Sequence, residues 1–158
     1  MTHSWDILKN YPDLVDGKWP TLPALFQIAV HRFPDRTCFS VIEKEKESYT
    51  YKEEYQEILK AAYLIKEAGL KKGDVVMVNG KNSREWATAY FAVSFAGCIV
   101  TPIDNQMKIE RVAELGEFAD VRFIFADDDV LDKLEALDNS WYKGLKGKIS
   151  LKGKSDKY

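Results

Sequence analysis

The chain has 158 residues, of which 46% are hydrophobic and 13% aromatic, a composition that excludes a disordered or low-complexity segment. A domain of this size buries roughly 70% of the surface its unfolded chain exposes, so it needs neither a disulfide nor a metal to hold it together. The formal net charge of −2 excludes a general basic face for nucleic acid and any overall pull toward anionic membranes.

Residues 1–20 are polar and aromatic, with Pro12, Gly17 and Pro20, and read as an irregular arm. Thr21 can cap a helix with Pro23 in its first turn. Leu22, Leu25, Phe26, Ala29, Val30 and Phe33 recur at helical spacing, and Pro34 ends the run. Thr37–Glu43 and Glu47–Thr50 read as a small β-hairpin across a charged turn, Lys44–Lys46, because Cys38, Phe39, Val41 and Ile42 suit a strand. Thr50-Tyr51-Lys52-Glu53 is a capping box. The helix it opens carries Tyr55, Ile58, Leu59, Ala62 and Ile65 on one face and stops at Gly69.

Gly73–Asp104 is the most informative stretch: strand, capped helix, glycine stop, strand. Val75–Val78 is all apolar, as in a parallel strand covered on both faces. Asn82-Ser83-Arg84-Glu85 reads as a second capping box, opening a helix to Ala96 that is apolar almost all round and therefore expected to be largely buried. Gly97 closes it, and Cys98–Thr101 is the next strand. A helix over Lys108–Ala119, a strand at Val121–Ala126 and a helix from Asp128 carrying Leu131, Leu134 and Leu137 complete the alternation. Such alternation predicts an α/β fold: an open, mostly parallel sheet flanked by helices, with right-handed crossovers and a small N-terminal β-hairpin, whose two strands either pair with each other or join the sheet edge. The expected organisation is an arm over 1–20, an α/β domain over 21–140, and a linker or flexible tail over 141–158, where glycine, lysine and serine dominate.

Cys38 and Cys98 lie in apolar runs, and two distant cysteines without a secretory leader point to a reducing, cytoplasmic setting. The longest apolar region, Tyr90–Ile103, is broken by Gly97 and Pro102 and is too short for a transmembrane segment, which takes about 20 residues.

Several residues invite a chemical reading. Gly147, Gly153, Lys154 and Ser155 have some of the letters of a phosphate loop, but five residues separate the glycines where the motif needs four. Asp127, Asp128 and Asp129 follow a parallel strand, where a cluster of carboxylates would suit Mg²⁺. The plainer reading is that one aspartate caps the following helix and the others favour its dipole. Cys98 as a nucleophile would need a base, and neither His3 nor His31 stands at a spacing that supplies one or makes a metal site. Tyr49, Tyr51, Tyr55 and Trp86 could stack on a flat ligand, although aromatics at helical spacing are more often core. Lys71, Lys72 and Lys81 read as solvated turn residues. No catalytic, cofactor-binding or metal-ligating residue is assigned.

These segments, in order, resemble the start of the AMP-forming acyl-CoA synthetases, the long-chain fatty acid–CoA ligase-like members of the adenylate-forming superfamily. TLPALFQIAVHRFPDRT resembles the family's opening helix. SYTYKEEYQEILKAAYLIKEAGLKKGDVVMV resembles its first motif and the strand after it. NSREWATAYFAVSFAGCIVTPID resembles its next block, and KIERVAELGEFADVRFIFADDD continues it, over residues 20–135 in all. The resemblance implies a parent ligase in which ATP and a carboxylic acid give an acyl-adenylate and pyrophosphate, CoA then takes the acyl group, and Mg²⁺ assists. Asn82–Trp86 and Val100–Asp104 lean toward the fatty-acid branch. The family's phosphate loop, its nucleotide-binding aromatic and acidic residues and the lysine of its C-terminal domain have no counterparts in this sequence. The implied partners are the remainder of the large domain, the C-terminal domain and a small carboxylic acid. The chain by itself is expected to be inactive. The alternatives are a free-standing flavodoxin-like binding or signalling module with Asp127–Asp129 as an acidic pocket, and a non-enzymatic interaction domain.

Overall fold

A computed structural model describes residues 10–11, 20–42 and 46–153. The chain divides into two compact units, with the boundary after Gln56.

In the first unit, α1 (Leu22–Arg32) begins where Thr21 Oγ accepts the Ala24 amide at 3.3 Å, with proline in its first turn. The Phe33 ring beyond its end carries the Arg32 and Arg36 guanidinium groups at 4.7 and 4.6 Å from its centroid. β1 (Thr37–Ile42) and β2 (Lys46–Thr50) form the expected antiparallel hairpin, pairing Val41 with Glu47 and Ser40 with Ser48. Lys46 thus belongs to the strand rather than to the turn, and residues 43–45 lie outside the described residues. The capping box at the start of α2 (Tyr51–Glu67) forms as read: Thr50 Oγ accepts the Glu53 amide at 3.2 Å, and Glu53 Oε2 accepts the Thr50 amide at 2.8 Å. The Phe26 ring sits 5.8 Å from that of Tyr51 and 6.5 Å from that of Tyr55.

The second unit is built on β3 (Val75–Asn79), β4 (Ile99–Ile103), β5 (Val121–Ala126) and β6 (Gly147–Ser150). All are parallel, in the order β4-β3-β5-β6. The central strands β3 and β5 are the apolar runs, and their side chains are buried on both faces, as parallel strands require. On one face Met77 and Ile124 pack with Val112, Leu131, Leu134 and Tyr142 from α4 (Ile109–Phe118), α5 (Asp128–Ala136) and α6 (Ser140–Lys143). On the other, Phe125 lies under α2 and α3 (Arg84–Phe95).

The structure departs from the sequence reading in three further places. The α3 cap is Ser83, one residue past the Asn82 of the proposed box, and its Oγ accepts the Trp86 amide at 3.1 Å. That helix is not buried all round. Ala89, Ala92 and Val93 face the sheet, while Trp86, Tyr90, Phe91 and Phe95 stay partly exposed, because a helix has only one side to lay on a sheet. Finally, residues 141–150, read as linker, hold most of α6 and all of β6. Tyr142 is fully buried, and its hydroxyl donates to the Leu131 carbonyl at 3.1 Å. Gly147 is a strand residue because the Phe123 ring occupies the place of its side chain, 2.2 Å from where a Cβ would stand. The last five residues, with Lys154 and Ser155, lie outside the described residues.

Candidate functional site

The winding of the sheet decides where a ligand would sit. From β3 the chain moves to β4 on one side, then returns past β3 to β5 and on to β6. The direction reverses between β3 and β5, and open α/β sheets bind ligands in the crevice outside the carboxyl ends at such a point.

The loops at that edge are tied to one another. The Asp127 amide donates to the Asn79 carbonyl at 3.1 Å, and Asp127 Oδ2 accepts the Lys81 amide at 3.0 Å. The Leu151 amide donates to the Ala126 carbonyl at 2.9 Å, and Asn79 Nδ2 reaches the Asp104 carbonyl at 3.5 Å. Gly80 permits this closeness, since a Cβ there would stand 2.6 Å from Leu151 Cδ1 and 3.1 Å from Asp127 Oδ1.

Beside these loops is a cavity of about 310 Å³, walled by Asn79, Asn105, Met107, Lys108, Val130 and Lys133 among others. Asn79 is 1% exposed, and its Oδ1 is buried with no hydrogen-bond partner. An unpaired buried acceptor costs free energy on the order of 1–3 kcal/mol, which a ligand donor would recover. α4 begins at the same cavity, and Lys108 at its N-cap makes no side-chain capping bond. A helix N-terminus in that state favours an anionic group. The site can hold and orient a small polar molecule.

The residues singled out from the sequence are placed differently. Asp127 precedes α5 but makes no side-chain cap bond, because its carboxylate is taken by the Lys81 amide. Asp129 pairs with Lys133 at 3.2 Å. The three aspartates are not brought together as Mg²⁺ ligands, and among the described residues no group of three or more His, Cys, Asp or Glu side chains could hold a metal ion. Gly147 is held in β6, so it forms no loop with Gly153 that would fit the phosphates of ATP. His31 is exposed, with its ring 6.4 Å from that of Tyr11, and His3 lies outside the described residues. Tyr51 and Tyr55 pack on Phe26, Tyr49 donates to Glu47 at 2.6 Å, and Trp86 stacks on Tyr90 at 5.6 Å. Lys71, Lys72 and Lys81 are exposed, as read.

Cys98 is half-buried, and its thiol donates to the Lys71 carbonyl at 3.5 Å. Burial, with the Asp74 carboxylate nearby, raises its pKa, although Lys66 opposes this. A raised pKa leaves less thiolate at any given pH, and the thiolate is the nucleophile. In a Cys38→Ser background, iodoacetamide at pH 8 is expected to modify Cys98 more slowly than a free cysteine peptide. An equal or faster rate would contradict this placement.

Asn79 was not singled out in the sequence. Its one visible signal is a polar residue closing the apolar run VVMVN.

An open parallel sheet wound in both directions, with a polar crevice at its carboxyl edge, places the molecule in the doubly wound α/β class. A family profile described as AMP-binding enzyme matches residues 26–156, and the chain belongs to that family. Long chain acyl-CoA synthetase 1 of Arabidopsis thaliana is 27% identical over 154 residues, covering 94% of this chain and 23% of the relative. A long-chain-fatty-acid–CoA ligase of Bacillus subtilis is 33% identical over 110 residues, covering 65% of this chain and 19% of the relative. The crystal structure of a fatty acid AMP ligase from Legionella pneumophila superposes with a TM-score of 0.68 at 18% identity, over 84% of this chain and 23% of that one, and so shares the fold. The chain spans about a fifth of the length of the curated relatives it matches. No helix among the described residues is long and apolar enough to cross a membrane.

Proposed function

We propose that this chain is the first α/β portion of the large domain of an acid–CoA ligase. The parent forms an acyl-adenylate and pyrophosphate from ATP and a carboxylic acid, with Mg²⁺, and passes the acyl group to CoA with release of AMP. The observation that carries this reading is the AMP-binding enzyme match over residues 26–156, in a chain spanning about a fifth of its relatives. A fatty acid is the favoured substrate, from the relatives' names and from Asn82–Trp86 and Val100–Asp104. The chain supplies scaffold and a polar crevice, and it does not catalyse alone.

Exchange of labelled pyrophosphate into ATP, with fatty acids of several lengths, tests this. The 158-residue chain should give no exchange above the blank. The same chain extended by the downstream ligase residues should exchange in an acid-dependent way. Turnover by the short chain overturns the inactive-scaffold reading, and none by the extended chain overturns the ligase reading.

The flavodoxin-like reading has one observation in its favour. The sheet order β4-β3-β5-β6 is, counted from its first strand, 2-1-3-4, as in flavodoxin-like sheets. Fold alone does not confer function. Calorimetry with Mg²⁺ and nucleotides on the chain by itself separates the two readings, since a self-sufficient module should bind tightly.

A further inference from the structure

Basic residues gather at one turn of the first unit. His31 and Arg32 lie in the last turn of α1, where the negative end of the helix dipole favours a cation. That accounts for Arg32 but not for Arg36, which lies beyond Pro34 and outside the helix. Arg36 nevertheless returns to the same place. Its guanidinium carbon stands 4.6 Å from the centroid of the Phe33 ring, and that of Arg32 stands 4.7 Å from it. Both are distances at which an aromatic face holds a cation.

The turn beneath them is fixed by backbone bonds. The Phe33 amide donates to the Ala29 carbonyl at 2.8 Å, and the Arg36 amide to the Phe33 carbonyl at 3.1 Å. At the start of α2, the Tyr51 amide donates to the Arg36 carbonyl and the Lys52 amide to the Pro34 carbonyl, each at 3.0 Å. These bonds bring a further basic residue, Lys52, to the turn, and Lys52, His31, Arg32 and Arg36 are all exposed. The acidic residue within the turn is Asp35, and no carboxylate of the described residues pairs with either arginine.

Two guanidinium groups gathered on one ring repel each other, and a bound dianion would remove that cost. Each guanidinium is a planar fork of N–H donors that matches two phosphate oxygens at once. The shared ring restricts both side chains beforehand, so less freedom is lost when an anion binds. A phosphate group, close to doubly charged at neutral pH, balances two arginines where a carboxylate balances one.

We propose that Arg32 and Arg36, held on Phe33, form a receptor for one phosphate group, carried either by a free phosphate or by the headgroup of an anionic lipid. The site is independent of the ligase reading, since neither arginine lines the cavity at the carboxyl edge of the sheet.

The test follows the arginine Nε–H signals of the 158-residue chain by NMR at low salt, during titration with inorganic phosphate and, separately, with vesicles of phosphatidate in phosphatidylcholine. The Arg32 and Arg36 signals should shift or broaden saturably with at least one of the two probes. Saturation by inorganic phosphate assigns the free anion, and a response to phosphatidate vesicles alone assigns the headgroup. Arg32→Gln and Arg36→Gln should each weaken binding about tenfold, the loss expected for a charged hydrogen-bonded pair. Phe33→Leu, which keeps the bulk and removes the aromatic face, should weaken it severalfold. Arg111→Gln, an equal loss of charge on α4, should leave it unchanged within about twofold. Thermal melts check that each variant folds, and the signals of the wild-type chain decide should one of them not. No saturable response to either probe, an equal response to acetate, or losses in Arg111→Gln as large as those in the Arg32 and Arg36 variants would each overturn the proposal.

Discussion

Phe123→Ala is expected to destabilise the protein by about 3–5 kcal/mol, the usual range for removing a buried aromatic ring. Phe123 is 2% exposed in the central strand β5, and its ring lies 5.1 Å from that of Phe125. It also fills the space over Gly147, so the truncation opens a void beneath β6 as well as within the sheet. A chain of this length loses roughly 2–4 °C of melting temperature per kcal/mol, and the change should be plain in a thermal melt. Gly147→Ala approaches the same contact from the other side, because its new methyl would collide with the ring. A shift of less than about 2 °C in Phe123→Ala would mean that this packing is absent.

Gly116→Ala should be destabilising by about 1–3 kcal/mol, the cost typical of overpacking. In an exposed helix the same change would stabilise by about 1 kcal/mol, because alanine is the better helix former. The sign reverses here because a Cβ on Gly116 would stand 2.1 and 2.2 Å from Cζ2 and Cη2 of Trp141. The indole cannot move aside without loss. Its Nε1–H donates to the Val121 carbonyl at 3.0 Å, and the Trp141 amide donates to Asn139 Oδ1 at 2.7 Å. Gly144→Ala is the control. Its Cβ would meet only ordinary contacts at 3.5 Å, so its effect should stay within about 0.5 kcal/mol. In urea melts, adding Trp141→Ala to Gly116→Ala should restore the normal helix-favouring sign of the alanine. If Gly116→Ala raises stability with Trp141 in place, the α4–Trp141 contact is not as described.

Where bonds are local, the sequence was a reliable guide. Thr50 and Glu53 meet because three residues of helix bring them together, and the structure shows both bonds of the box. The strand at Val121–Ala126 has the bounds read from it, because a run buried on both faces must be apolar throughout. The crevice was legible only in outline. Strand alternation implies a carboxyl edge, but the strand order that places the switch point between β3 and β5 comes from pairing between distant segments. Asn79 was missed because an unpaired acceptor is a property of its surroundings, and a single polar residue at a strand end carries no mark of it.

Asp127 and β6 show where local pattern stops being sufficient. A strand–Asp–helix junction has the letters of an N-cap, yet the carboxylate goes to the Lys81 amide, 46 residues away in sequence. Gly147–Ser150 contains a glycine, a lysine, an isoleucine and a serine and has no strand signature of its own. It becomes a strand because β5 offers a free edge and Phe123 needs a glycine opposite it. Alone, the sequence determined the period of the helices and strands up to α5, the α/β class and the family, since these are written in neighbouring residues and in the order of segments. The tertiary structure decided which strand lies beside which and where the polar crevice opens, because those depend on contacts between segments far apart in the chain.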